Sequence, residues 1–177
     1  VFIIIGLAIG FKRFAVTPTG IRIVDKAKLK APVFGDITRL SVLSEVSRTI
    51  SLLVSSGASL IHALNIAADV SGNYYYKTAL DSTSSLVEKG AGLSVGLQNQ
   101  TVFPPLMIQM VKVGESTGKI DESLLEVSEY FERDLDIKVK TLTTAIEPIL
   151  IIILGVSVAF LIISVITPIY SLVSQIQ

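Results

Sequence analysis

The sequence predicts an all-α protein in which a six-helix bundle lies between transmembrane helices. Through the middle of the chain, apolar residues recur every three or four positions, and no segment shows the strong period-two alternation typical of strands. Both ends carry apolar runs without charge. Hydrophobic residues make up 50% of the 177 residues and charged residues only 17%, which excludes a disordered chain.

The composition also limits the available chemistry. The 15 basic and 15 acidic residues cancel, so the chain lacks the basic excess of a nucleic-acid-binding protein. Cysteine is absent and His62 is the only histidine, which leaves no thiolate or histidine-rich metal site. A structural, partly exposed His62 is preferred over phosphotransfer, which has no supporting motif. We therefore predict no enzymatic activity, catalytic residue, cofactor, metal site or nucleic-acid partner.

Both apolar ends are predicted to belong to the membrane. Residues 148–177 contain no charge, and residues 149–167 form an apolar run close to the roughly 20 residues that a spanning helix needs. We predict a C-terminal transmembrane helix and a short external tail over residues 148–177. Residues 1–11 would cover only half a bilayer, and the basic residues follow them, unlike in a signal peptide. This run is predicted to be the end of a truncated transmembrane helix.

Basic residues determine the predicted orientation. Up to residue 30, six basic residues stand against Asp25, a local charge of +5 directly after the first apolar run. Because basic loops stay in the cytoplasm, residues 12–147 are predicted to be cytoplasmic and the C-terminus periplasmic or external, giving a six-helix cytoplasmic bundle. The cluster is either an ordinary solvated loop or also attracts anionic membrane lipid. Its members are Lys12, Arg13, Arg22, Lys26, Lys28 and Lys30.

The first half of the cytoplasmic part begins with a predicted linker. Prolines and glycines interrupt residues 12–36, which are predicted as a basic linker, and the bundle is predicted over residues 37–147. Ser and Asn favour helix N-caps, and Gly favours the residue after a helix. These signals place a first helix over residues 38–56 before Gly57, a second from an N-cap at Ser59 to Gly72, and a third from an N-cap at Asn73 to about Lys89.

The second half of the bundle has three further predicted helices, the last of which is the longest. Prolines are tolerated in a first helical turn, and glycines favour breaks. The predicted order is a short turn over residues 93–99, a helix opened by Pro104 and Pro105 that breaks around Gly114 and Gly118, and a helix capped by Asp121 that extends toward Glu147.

Two motifs invite a functional interpretation that their details do not support. The segment Gly114–Ile120 resembles a phosphate-binding loop, but its glycine spacing is one residue short, Ile120 replaces the required hydroxyl residue, and a helix precedes it. We predict a turn between helices instead. In the apolar ends, small residues four positions apart permit close packing of transmembrane helices, a pattern that is also common by chance. These residues are Gly6 and Gly10, and Gly155 and Ala159.

An acidic stretch opens the last predicted helix. Between Asp121 and Asp136, seven acidic residues stand against Arg133, a local charge of −6. Helical spacing places Glu122, Glu126 and Glu129 on one face, and Glu129 close to Glu132. The stretch is either a solvated helix face or a docking face for a basic partner. A carboxylate cation site is a third alternative, but no loop has the required ligand spacing.

Several motifs together resemble one known family. The most specific is Met110–Gly118, which contains the pattern V-x-x-G-E-x-[S/T]-G. The chain thereby resembles the second half of the type II secretion system F protein and of its counterpart in type IV pilus assembly, an inner-membrane platform protein. The other matching pieces are Leu52–Leu60, Ala63-Leu64, Ala67-Ala68, Val87–Gly90, Leu93-Ser94, Phe103–Leu106, Glu147-Pro148 and Pro168–Tyr170.

The resemblance implies a non-catalytic, multi-pass protein of the bacterial inner membrane. It implies binding to a hexameric assembly ATPase and coupling of that ATPase to extraction of pilin or pseudopilin subunits from the bilayer. The uncharged apolar ends with their small residues suit pilin helices or self-association equally, and we also predict a homo-oligomer. As a hypothesis for partner binding we take the signature residues Gly114, Glu115 and Gly118 together with the acidic residues Glu122, Glu126, Glu129 and Glu132. A membrane-anchored helical signalling or scaffold protein of another system is the alternative.

Overall fold

The computed structural model describes residues 17–32 and 34–174. Within these residues there are seven helices and no strand, which confirms the all-α prediction. They fall into two compact units, the first ending at Asp136 and the second beginning at Ile137. The helices are α1 (Pro18–Lys30), α2 (Phe34–Ser55), α3 (Leu60–Val70), α4 (Tyr74–Glu88), α5 (Leu93–Gln98), α6 (Pro105–Thr117) and α7 (Ile120–Ser174).

Two of the predicted helix starts are confirmed by their caps. The side chain of Ser59 accepts a hydrogen bond from the amide of His62 at 3.3 Å, and that of Asn73 accepts one from Tyr75 at 3.0 Å. Each bond satisfies an amide that the first helical turn leaves without an intrahelical partner. Side-chain chemistry encoded locally therefore determines where α3 and α4 begin.

The prediction of a linker is wrong for Pro18–Lys30, which forms α1. Pro18 occupies the first helical turn, where its missing N–H costs no hydrogen bond. The helix packs on α2 and α4. Its Asp25 is only 5% exposed and accepts a hydrogen bond from the amide of Tyr74 at 2.9 Å, at the start of α4. The contacts that stabilise α1 thus come from distant segments, and the proline marks the beginning of a helix.

Two details of the last helices also differ from the prediction. The predicted break of α6 occurs at Gly118, whereas Gly114 lies inside the helix, where its missing side chain permits close packing against Ser123. Asp121 is not the cap of α7, which already begins at Ile120, and instead lies in its first turn. An acidic side chain there is still favourable, because the N-terminal end of a helix carries a partial positive charge. The helix also continues far beyond Glu147, to Ser174.

The core of the first unit is almost entirely aliphatic, with a few aromatic side chains. Every helix from α2 to α7 contributes fully or nearly fully buried side chains. Close approach of α4 and α5 depends on Gly96, where a methyl group would lie 2.8 Å from Cγ2 of Thr83. The largest buried side chains include Val46, Ile50, Leu64, Tyr76, Leu80, Leu93, Leu97, Met107, Val111, Leu124 and Val127.

A row of serines marks where α2 meets α7. The hydroxyl of Ser44 donates to the carbonyl of Ser128 at 3.2 Å, and that of Ser51 donates to the carbonyl of Asp121 at 2.7 Å. Small side chains let the two backbones approach closely, and the hydroxyls hold the register between them. The beginning of α7 is thereby bonded into the bundle.

Tyr76 gives the bundle a predicted alkaline transition. Burial raises the pKa of Tyr76 to about 12 from its ordinary value of 10.0, partly offset by the positive charge of Arg39. The raised pKa belongs to the folded state, so the stabilisation is complete below pH 10 and is lost as the pH rises toward 12. We expect the free energy of unfolding to fall by about 1 kcal/mol between pH 10 and pH 11.

Chemical denaturation across this pH range measures the transition. Tyr76→Phe is expected to remove most of this decrease in the free energy of unfolding. Tyr130→Phe, at a position that is 47% exposed, should show the same decrease as the original chain. Parallel pH profiles for the original chain and Tyr76→Phe would contradict the assignment.

The second unit is the remainder of α7, from Ile137 onward. This helix is the one element in the described part of the chain that is long and apolar enough to cross a membrane. From Leu150 to Ile163 its large apolar side chains are all more than half exposed, between 52% and 71%. At Gly155 a methyl group would meet nothing within 4 Å, so this small residue leaves an open surface. The predicted pair Gly6 and Gly10 lies outside the described residues.

Candidate partner-binding site

The signature segment at the end of α6 is bonded into the bundle through Glu115. Its carboxylate accepts hydrogen bonds from the amides of Leu93 and Ser94, the second at 3.1 Å, and from the hydroxyl of Ser94. The N-cap residue of α5, Gly92, has no side chain that could satisfy these amides. Glu115 therefore caps α5 from another helix, and its negative charge lies at the positive end of that helix.

The two signature glycines have different structural roles. A methyl group at Gly114 would lie 2.7 Å from Oγ and 2.8 Å from Cβ of Ser123, so α6 and α7 approach closely only because this side chain is absent. Gly118 ends α6 with a φ of +73°, which glycine adopts without strain. In the structure, Gly114 permits helix packing, Glu115 caps α5, and Gly118 forms the turn that ends α6. A contribution of these residues to partner binding stays a prediction.

Three of the predicted acidic residues share the outward face of α7. Glu122, Glu126 and Glu129 follow one another at helical spacing and are all exposed. Glu122 pairs with Lys119 at 2.8 Å, and this hydrogen bond raises the pKa of Lys119. Glu129 lies 3.6 Å from Arg133. Within the described residues Glu126 has no ion pair or side-chain hydrogen bond, which makes its charge the most available of the three.

Glu132 does not belong to this face. Its carboxylate pairs with the guanidinium of Arg48 on α2, next to the serine row. The sequence spacing predicted that Glu132 lies beside Glu129. In the structure it lies on the side of α7 where Arg48 of α2 pairs with it. Glu132 therefore contributes to the contact between α2 and α7.

An apolar groove runs beside the acidic face. It has a volume of about 240 Å³ and lies between α6 and α7. Its apolar part includes Leu106, 36% exposed, and Tyr130, 47% exposed. Tyr130 lies four residues after Glu126 on α7, but Leu106 belongs to α6, so only the packing of the two helices brings these side chains together and the sequence did not predict the groove. We call this surface the α6–α7 groove; it is lined by Leu106, Met110, Glu126, Val127, Glu129, Tyr130 and Arg133.

The groove has the chemistry of a surface for an amphipathic, basic segment. Leu106, Met110 and Tyr130 can cover apolar side chains of a partner, while Glu126 and Glu129 at the same groove can pair with its cations. Over the described residues, no group of three or more potential metal ligands comes together, so the carboxylates do not converge on a cation there. The lone histidine, His62, is exposed on α3.

Comparisons with known proteins identify the group to which the chain is similar. Residues 46–168 match the family described as type II secretion system (T2SS), protein F. The chain is 34% identical to the type IV pilus assembly protein PilC of Thermus thermophilus over 98% of its own length and 43% of that protein. It is 36% identical to PilC of Pseudomonas aeruginosa over 84% of its own length and 40% of that protein.

A protein of a secretion system is also similar to the chain. The type II secretion system protein F of Pseudomonas aeruginosa is 30% identical over 81% of the chain and 36% of that protein. The chain thus spans less than half the length of these curated relatives. The match includes the second part of α2, from residue 46 onward, all of α3 to α6 and most of α7.

Proposed function

Because the chain belongs to the type II secretion system protein F family, we propose that it is part of an inner-membrane platform of a type IV pilus or type II secretion machine. In this role it couples a cytoplasmic hexameric assembly ATPase to extraction of pilin or pseudopilin subunits and to filament assembly. The chain itself supplies binding surfaces and carries out no chemical step.

The single observation that best supports this role is the continuity of α7. One helix, Ile120–Ser174, carries both the acidic face and the apolar segment, and no loop separates them. A protein that transfers movement from a soluble motor to a membrane segment needs such a connection. The serine row bonds the beginning of this helix to α2, so force applied to the bundle reaches α7.

The proposed location follows from the apolar segment and from charge. The exposed apolar side chains of α7 after Ile149 require lipid or apolar partner helices around them. We place this segment across the inner membrane, residues 12–147 in the cytoplasm and the C-terminus on the opposite side. Gly155 and Ala159 then offer a small-residue surface to pilin helices or to a second copy of the chain.

We assign the α6–α7 groove to the ATPase. Glu126, which has no described partner, and the apolar side chains of Leu106 and Tyr130 would receive a basic amphipathic segment of the motor. The ion pairs of Glu122 and Glu129 are exposed and therefore exchange readily with a partner's cations.

Co-purification of the full chain in detergent with the hexameric pilus or secretion ATPase of the same cell tests the proposal. We expect binding at low salt, and Glu126→Lys should weaken it roughly three- to tenfold because one attractive charge becomes repulsive. The matched control is Glu88→Lys on α4, an exposed glutamate without a described ion pair, which makes the same change in net charge.

Two outcomes would contradict parts of the proposal. Equal binding of the Glu126→Lys and Glu88→Lys variants would remove the groove as the docking site. Absence of binding to any such ATPase at low salt would favour the alternative, a membrane-anchored helical signalling or scaffold protein.

A further inference from the structure

Two lysines on α1 have no partner inside the described part of the chain. Other cations nearby are engaged: Lys28 pairs with Asp25 at 3.3 Å, and the guanidinium of Arg22 lies 4.6 Å from the ring centroid of Tyr74. Lys26 and Lys30, by contrast, are exposed and make no ion pair or side-chain hydrogen bond among the described residues. Their charge is available to something outside the bundle.

Large apolar side chains accompany these lysines. Ile23, Lys26 and Lys30 lie at spacings of three and four residues, so they share one side of α1. Ile23 is 54% exposed, and Phe34, which begins α2 four residues after Lys30, is 69% exposed. Two exposed large apolar side chains therefore lie close in the sequence to two lysines that have no described partner. We call Ile23, Lys26, Lys30 and Phe34 the basic–apolar face.

We propose that the basic–apolar face, on α1 and the first residue of α2, binds the anionic surface of a lipid bilayer. Cationic side chains are attracted to anionic headgroups, and apolar side chains beside them can enter the boundary between headgroups and acyl chains.

The position of α1 in the chain supports lipid over a protein partner. The apolar run over residues 1–11, followed by Lys12 and Arg13, is predicted from sequence as the end of a membrane helix, and six residues separate it from α1. The bilayer surface is therefore the nearest extended anionic surface to this helix. Lipid binding by this face requires only that the chain is in a membrane. It does not depend on binding of an ATPase.

The absence of cysteine makes the test direct. The full chain carrying Ile23→Cys, labelled with an environment-sensitive fluorophore, is reconstituted in lipid nanodiscs that contain headgroup-nitroxide phospholipid as a quencher. Discs of phosphatidylcholine alone are compared with discs that also contain phosphatidylglycerol. The matched label site is Val95→Cys on α5, where the exposed fraction is 51% against 54% at Ile23.

We expect strong quenching of the label at position 23 in anionic discs and little at position 95. Quenching should decrease in neutral discs and with added salt, since the attraction is electrostatic. In the same chain, Lys26→Gln with Lys30→Gln should weaken the lipid-bound state roughly thirtyfold. Lys89→Gln with Lys112→Gln, which removes two exposed charges elsewhere, should leave it unchanged.

Three results would overturn the proposal. The first is equal quenching at positions 23 and 95. The second is quenching at position 23 that does not respond to lipid charge or to the Lys26 and Lys30 substitutions. The third is that the label at position 23 is shielded from water only when two copies of the chain share a disc, and that the lipid quencher has no effect on it. This result would assign the face to a second copy of the chain.

Discussion

Replacing Glu115 by alanine is expected to destabilise the bundle by about 3 kcal/mol. The carboxylate accepts hydrogen bonds from the amides of Leu93 and Ser94 and from the Ser94 hydroxyl, and a hydrogen bond to a charged group contributes about 1.5–3 kcal/mol. Alanine leaves these donors without an acceptor at a partly buried helix terminus. Glu115→Gln keeps the shape but offers one acceptor oxygen without charge, so we expect about half of this loss.

Two measurements distinguish this role from a general effect of charge. Denaturant titration of the detergent-solubilised chain gives the free energy of unfolding, and hydrogen exchange at Leu93 and Ser94 reports the cap itself. Exchange at these two amides should accelerate more than exchange in α3. Glu88→Ala, at an exposed glutamate on α4, is the control and should change neither quantity appreciably. Unchanged exchange at Leu93 and Ser94 in Glu115→Ala would exclude the capping role.

The parts of the fold that the sequence predicted are those with local causes. The caps at Ser59 and Asn73 act on amides two or three residues away, so their side chains alone indicate where α3 and α4 begin. Helix α1 carries only an ambiguous local signal, because Pro18 suits a first helical turn as well as a loop. Pro18 and Gly20 are typical of loops, and α1 is stabilised by contacts such as that between Asp25 and Tyr74, which are 49 residues apart.

The same distinction applies to the candidate site. The acidic face was predictable, because the spacing of Glu122, Glu126 and Glu129 follows the helical period. The roles of Glu115 and Glu132 depend on which helices lie beside them, and their partners are 22 and 84 residues away in the sequence. The signature that revealed the family therefore did not reveal what its glutamate contacts.

Replacing Gly114 by alanine is expected to destabilise the bundle by about 2 kcal/mol. On helix propensity alone, alanine would be favoured by about 1 kcal/mol. The added methyl group, however, would lie 2.8 Å from Cβ of Ser123 and 3.0 Å from the carbonyl oxygen of Lys119. Neither atom is the end of a flexible side chain, so α6 and α7 must separate. We expect the upper end of the usual overpacking cost, about 3 kcal/mol, which leaves a net loss of about 2 kcal/mol after the propensity gained. Denaturant titration in detergent measures the net effect.

A double substitution tests whether the contact with Ser123 is the cause. Gly114→Ala combined with Ser123→Gly removes the side-chain part of the clash, so the double variant should be more stable than the sum of the two single effects indicates. Gly155→Ala is the matched helical control, because a methyl group there meets nothing within 4 Å and the unfolding of the bundle should be unaffected. If the two single effects simply add, the close approach at Ser123 is not what requires glycine at position 114. If they do not, the first glycine of the signature is required because it brings α7, the helix that carries the acidic face, against α6.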